Sequence, residues 1–218
     1  MRVTGRLAIG AGVVFFVANA YLFLVLGGAG WTLEMFDDPS RLLDWVHEHQ
    51  KLYQGLWLLY FVSQALLLLV PWRLGEELGE RAVGLRGTIA VAIAIVGLVV
   101  IFAASPVTAR AYQDVGGAGV LVLHELAADL GKYLRLFSQL LLGVWMVLAG
   151  RRLHARTGAR LWWLFGALGA WTLLVSAWKL LDPLMPLEDW LGFLLGLGYL
   201  GLGIGLLRTR NRSATSAA

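Results

Sequence analysis

Between Gln54 and Trp72 the sequence QGLWLLYFVSQALLLLVPW runs without a charge until Arg73. As a helix rising 1.5 Å per residue it reaches about 28 Å, close to the ~30 Å hydrocarbon core of a bilayer. The segment before it, PSRLLDWVHEHQKLY, places Asp44, His47, Glu48 and Lys51 on one helical stripe. The pair reads as an amphipathic approach helix turning into a membrane span. Five other apolar runs accompany it, and the six lie at about 7–28, 53–71, 88–105, 133–149, 161–181 and 190–207. A closed β-barrel, the other way to span lipid, would alternate apolar and polar residues instead. The expected fold is all-α: a polytopic bundle of six transmembrane helices occupying residues 1–212, with 213–218 as a disordered tail.

Composition agrees. Hydrophobic residues make up 59% of the 218 and charged ones 15%, well under the quarter usual in soluble domains. The absence of cysteine excludes disulfides, thiolate metal sites and a cysteine nucleophile. A pI near 9.7 would fit a nucleic-acid binder. The charges, however, sit in short clusters between apolar runs, a topology signal, and no nucleic-acid partner is expected. One side holds Arg2, Arg6, Arg73, Arg81, Arg86, Arg151, Arg152, Arg156, Arg160, Arg208, Arg210 and Arg212, 12 of the 18 basic residues. The same side carries only Glu76, Glu77 and Glu80 of the 14 acidic ones. The positive-inside rule then puts both termini in the cytoplasm, with the chain in the inner (cytoplasmic) membrane.

In chain order, residues 7–28 follow a basic start but run too long for a signal peptide, so they read as a retained span. Trp31 reads as an interfacial anchor, and Asp37-Asp38-Pro39-Ser40 as a helix start capped by Asp38 or Ser40. A further stripe runs His49, Tyr53, Trp57, Tyr60, Gln64. The connection from Trp72 to Arg86 reads as a short solvated helix, and span 3 as ending at Ser105-Pro106. After the turn Gly116-Gly117-Ala118-Gly119 a second approach appears, VLVLHELAADLGKYLRLFSQ. It shares a His-Glu pair and an intramembrane Ser-Gln with the first. A third, LDPLMPLEDWLGF, keeps only Asp189-Trp190. Three helical hairpins, each with an amphipathic outer elbow, are therefore expected. Gly150–Arg160 reads as a basic inner loop. Span 6 carries Gly192-x-x-x-Gly196 and Gly201-x-x-x-Gly205, spaced for close helix contact with a neighbouring helix or a membrane-protein partner.

Depth arithmetic locates the polar residues. Measured from the nearest inner arginine, Asn19 lies ~20 Å up, Gln139 and Thr172 ~18 Å and Gln64 ~14 Å. With Tyr60 and Lys179 they form a candidate ligand-binding set: Asn19, Tyr60, Gln64, Gln139, Thr172 and Lys179. Two roles fit: the base of an outward-opening pocket, or hydrogen bonds that hold helices together. Lys179 can also pair with Asp182. His47 and His49 are two apart and face differently, so they cannot chelate one metal. His47 with His124 is the alternative metal or haem pair. Glu48 with Lys51, and Glu125 or Asp129 with Lys132, read as elbow ion pairs. No catalytic motif and no paired intramembrane aspartates appear.

Three stretches carry a resemblance: Arg6-Leu7 opening span 1, LGERAVGLRG (Leu78–Gly87), and LAGRRLHARTGARLWWLFGALGA (Leu148–Ala170). On these the chain resembles a bacterial family of six-span integral membrane proteins with no assigned activity. In architecture alone it is similar to the substrate-binding components of energy-coupling-factor vitamin transporters, whose small-residue stripe on span 1 is matched here by Ala8 and Gly12. The resemblance implies six spans, inner termini and an outward-facing pocket. The functional expectation is a non-enzymatic bundle binding or passing a small, partly apolar molecule or lipid from the outer side. The alternatives are a haem- or metal-binding subunit using elbow histidines, and an accessory or assembly subunit docking through span 6.

Overall fold

The computed structural model describes residues 1–36, 38–181 and 188–215, with backbone only for 36, 188–193 and 209–215. Seven α-helices follow in order: α1 (Arg2–Ala20), α2 (Pro39–Glu48), α3 (Gln50–Leu78), α4 (Arg81–Val115), α5 (Ala118–Thr157), α6 (Leu161–Leu181) and α7 (Glu188–Thr215). α1 continues through a π-helical turn, Tyr21–Leu26, and a 3-10 turn, Gly27–Ala29. Among the described residues five helices are long and apolar enough to cross a membrane: Arg2–Ala29, α3, α4, α5 and α6. α7 contains a shorter apolar helical stretch, Leu194–Arg208.

Helices last longer than the apolar runs, because backbone hydrogen bonding continues past the hydrocarbon edge wherever nothing breaks it. α3 runs through Pro71 to Leu78 and α4 starts at Arg81. The expected solvated helix at 72–86 is thus replaced by a tight turn at Gly79, whose φ of 71° suits glycine. The inner loop at 150–160 shrinks likewise: α5 extends to Thr157 and turns at Gly158, φ 66°. Span 3 does not end at Ser105-Pro106 either. α4 passes through Pro106 to Val115. Pro106 removes one backbone donor, and hydroxyls serve the carbonyls beside the gap: Ser105 Oγ donates to Ile101 O (3.0 Å) and Thr108 Oγ1 to Ala104 O (2.8 Å).

The three-elbow expectation is corrected by the same continuity. Among the described residues the first connection has a separate approach helix, α2, set off from α3 by a single non-helical residue, His49 (φ −115°, ψ 31°). The second approach and its span are one unbroken helix, α5. The third falls partly on residues 182–187, outside the described residues, as do Asp182 and part of the 213–218 tail.

Around the bundle α3 packs on α1 and α4, α5 on α4 and α6, and α7 on α1 and α6, while α2 lies against α4. Antiparallel neighbours approach closely where glycine removes the side chain. A Cβ on Gly75 would stand 2.6 Å from Gly84 Cα, one on Gly169 2.8 Å from Gly143 O, and one on Gly203 2.6 Å from Gly5 O. Glycines of α7 are used inside the chain: Gly196 against Phe15 and Phe16, Gly205 against Trp162. One core gathers Trp145, Met146, Trp162, Leu202 and Leu206. A second gathers Trp31, Leu43, Trp45, Val46, Tyr53 and Trp57.

Candidate functional site

The acid-rich end is built on α2. Asp38 caps the helix: its carboxylate accepts from Ser40 Oγ (2.6 Å) and Arg41 N (3.2 Å). The Ser40 bond first, and the Arg41 amide second, hold its pKa below the usual carboxylate range. The apolar face of α2 closes over Trp31, which is 6% exposed. Trp31 is therefore core, not the expected interfacial anchor, because the elbow folds back over it. Trp45 Nε1 donates to Ala29 O at 2.9 Å, and its ring stacks on His49 (4.8 Å, 11°).

The polar candidates fall into two groups. On α1 and α3, Tyr60 OH approaches Asn19 Oδ1 at 3.5 Å, and Asn19 Nδ2 donates to Phe15 O at 2.8 Å. Gln64 is half-buried one turn below Tyr60. On α5 and α6, Ser176 Oγ donates to Gln139 Oε1 at 3.4 Å, and fully buried Thr172 bonds its own helix at Leu168 O, 2.8 Å. Lys179 is 7% exposed. Arg135 is half-buried, with its stem over the Gly97 site.

Register relates the two cations. Gly150 opposes Gly166, Gly143 opposes Gly169, and Gln139 opposes Ser176 along the antiparallel α5–α6 pair. One turn further, Arg135 and Lys179 come to the same level. Counting from Arg151, Arg135 is about 24 Å along a core ~30 Å thick. Two concavities formed by the described residues lie at the ends of the bundle, and none of the six candidates lines either. One, about 310 Å³, is bounded by Gln50, Pro106, Val107, Arg110, Ala111 and Asp114; the other, about 460 Å³, by Glu76, Gly79 and Arg81.

The histidines have different surroundings. His47 is exposed on α2. His124 is buried between α4 and α5, its Nδ1 3.1 Å from Thr108 Oγ1. Thr108 Oγ1 also reaches Ala104 O (2.8 Å) and Ser105 O (3.2 Å), so the hydroxyl links the imidazole to the α4 backbone.

Several functional contacts escaped the sequence reading. Ser63 Oγ donates to Ala11 O (2.9 Å) and Tyr53 OH to Ser105 Oγ (3.0 Å), tying α3 to α1 and α4. At the arginine-rich end Glu77 takes the Met1 amino group and Thr4 Oγ1 (3.0 Å), and its backbone carbonyl accepts from Arg156 (2.6 Å). Arg152 pairs with Glu80 at 2.8 Å. Glu77 looks no different in sequence from Glu76 beside it; only helix phase separates them. The expected elbow pairs do not form among the described residues, and Asp44 instead accepts from Gln113 Nε2 at 2.6 Å. These long exposed side chains gain little from pairing in water. No family model matches the chain, and neither does any curated protein or solved structure.

Proposed function

We propose that the chain is a six-span inner-membrane protein with cytoplasmic termini, of the uncharacterised family its sequence resembles. In this reading it binds a small, partly apolar acid from the outer side. The distribution of arginine supports the orientation, and α7 supplies the sixth span. The carrying observation is the level shared by Arg135 and Lys179, one turn above the Gln139–Ser176 bond. A cation inside a membrane segment is costly and by default functional. Two at one level favour a carboxylate or phosphate between them, with Tyr60 and Gln139 as neutral hydrogen-bonding groups and apolar helix surface around the tail.

Native mass spectrometry and calorimetry with palmitate and its methyl ester test this reading. Palmitate should bind at least about tenfold more tightly than the ester, as a charge-assisted hydrogen bond of about 1.5–3 kcal/mol requires. Arg135→Gln and Lys179→Met should each remove that margin. Equal affinity for acid and ester, or no binding of either, would overturn the reading. The cysteine-free chain also allows single-cysteine topology mapping: Ala155→Cys should label only from the cytoplasm and Ala118→Cys only from outside.

A further inference from the structure

A second site is suggested where α4 leaves the hydrocarbon. Pro106 stands about 30 Å from Arg86 along the helix, at the far edge of the apolar core. An exposed stripe climbs α4 at 3- and 4-residue steps, Val96, Val99, Ala103 and Val107, then turns charged at Arg110 and Asp114. This change from apolar to ionic occurs at the level where lipid tails give way to headgroups. Here α4 and the start of α3 bound the 310 Å³ groove, with Pro106, Val107 and Ala111 as apolar walls and Gln50 opposite. Arg110 and Asp114 are both exposed, and neither forms an ion pair among the described residues.

We infer that this groove holds the headgroup of a phospholipid carrying both a phosphate and a primary ammonium, the phosphoethanolamine class. Arg110 and Asp114 are four apart, so their side chains emerge about 6 Å from each other. A two-carbon linker separates phosphate from ammonium by a comparable distance. The guanidinium takes phosphate oxygens in its planar fork, and the carboxylate accepts N–H bonds from the ammonium. Gln50 offers an amide to the glycerol esters, and the valine stripe receives an acyl chain. A purely anionic headgroup would face Asp114 as a like charge. A quaternary choline has no N–H to donate. Both should therefore bind less well. Neither Arg110 nor Asp114 belongs to the interior set around Arg135, so the two sites stand or fall separately.

The test is lipid retention by the full-length protein in nanodiscs of equimolar dioleoyl phosphatidylethanolamine, phosphatidylcholine and phosphatidylglycerol, read by native mass spectrometry. Phosphatidylethanolamine should be retained about fivefold over each competitor, as a single exposed charge contact allows. Asp114→Asn should bring the ethanolamine-to-glycerol ratio to about one, and Arg110→Gln should lower retention of all three. Both positions are exposed, so the thermal midpoint should not move. Equal retention of the three lipids by the unsubstituted protein would mean an ordinary lipid annulus and overturn the inference. A preference for phosphatidylglycerol would do the same, as would an ethanolamine preference that survives both substitutions.

Discussion

Gly84→Leu should prevent the α3–α4 hairpin from closing and leave little folded protein. A Cβ at Gly84 would lie 2.9 Å from Gly75 Cα, 2.9 Å from Pro71 O and 3.3 Å from Trp72 O. Every one of those atoms is backbone, so no rotamer change relieves the contact. Overpacking against movable side chains costs about 1–3 kcal/mol. Against two helix backbones joined by a tight turn, a loss beyond about 3 kcal/mol is expected. Gly84→Ala should show part of the same loss. Gly201→Ala is the control, because nothing lies within 4 Å of its added carbon among the described residues. Thermal unfolding in detergent, or the midpoint of denaturation by SDS, reads all three. A Gly84→Leu protein that unfolds like the parent would mean that α3 and α4 do not meet at these glycines.

Trp145→Ala should be the most damaging truncation in the core. Trp145 is fully buried, packs edge-to-face on Phe165 with centroids 5.8 Å apart, and presses its indole against the Gly87 site. Truncations of this kind cost about 3–5 kcal/mol in water-soluble cores. In a bilayer the lower end applies, because lipid tails solvate an apolar side chain as well as the protein interior does, and only the packing is lost. Trp145→Phe should cost far less, since buried Nε1 has no hydrogen-bond partner among the described residues. If phenylalanine proves as destabilising as alanine, the indole N–H has a structural role that its surroundings do not suggest.

How much was legible beforehand differed by element. Asp38 as a cap, Tyr60 and Gln64 on the buried side of α3, and Ser176 and Lys179 sharing a stripe with Thr172 all follow from 3.6-residue periodicity. The lengths of α4 and α5 did not. Pro106 and the polar residues beyond it look like stops in sequence, yet Ser105 and Thr108 satisfy neighbouring carbonyls and the helix continues. The burial of Trp31 was hidden too, since an aromatic at a span's edge suits an interface belt until α2 is seen folded across it.

The sequence alone determined that this chain is helical and contains several stretches able to cross a membrane. Each such helix closes its own backbone hydrogen bonds, so the decision is made locally by the absence of charge over about twenty residues. Tertiary structure decided which faces meet. It set the register that brings Arg135 level with Lys179, the glycine contacts between α3 and α4, and the groove in which Arg110 and Asp114 stand. Those relations join residues from 9 positions apart, Gly75 and Gly84, to 64, Gln50 and Asp114, and they depend on side-chain shapes fitting across helices. No local pattern records that fit.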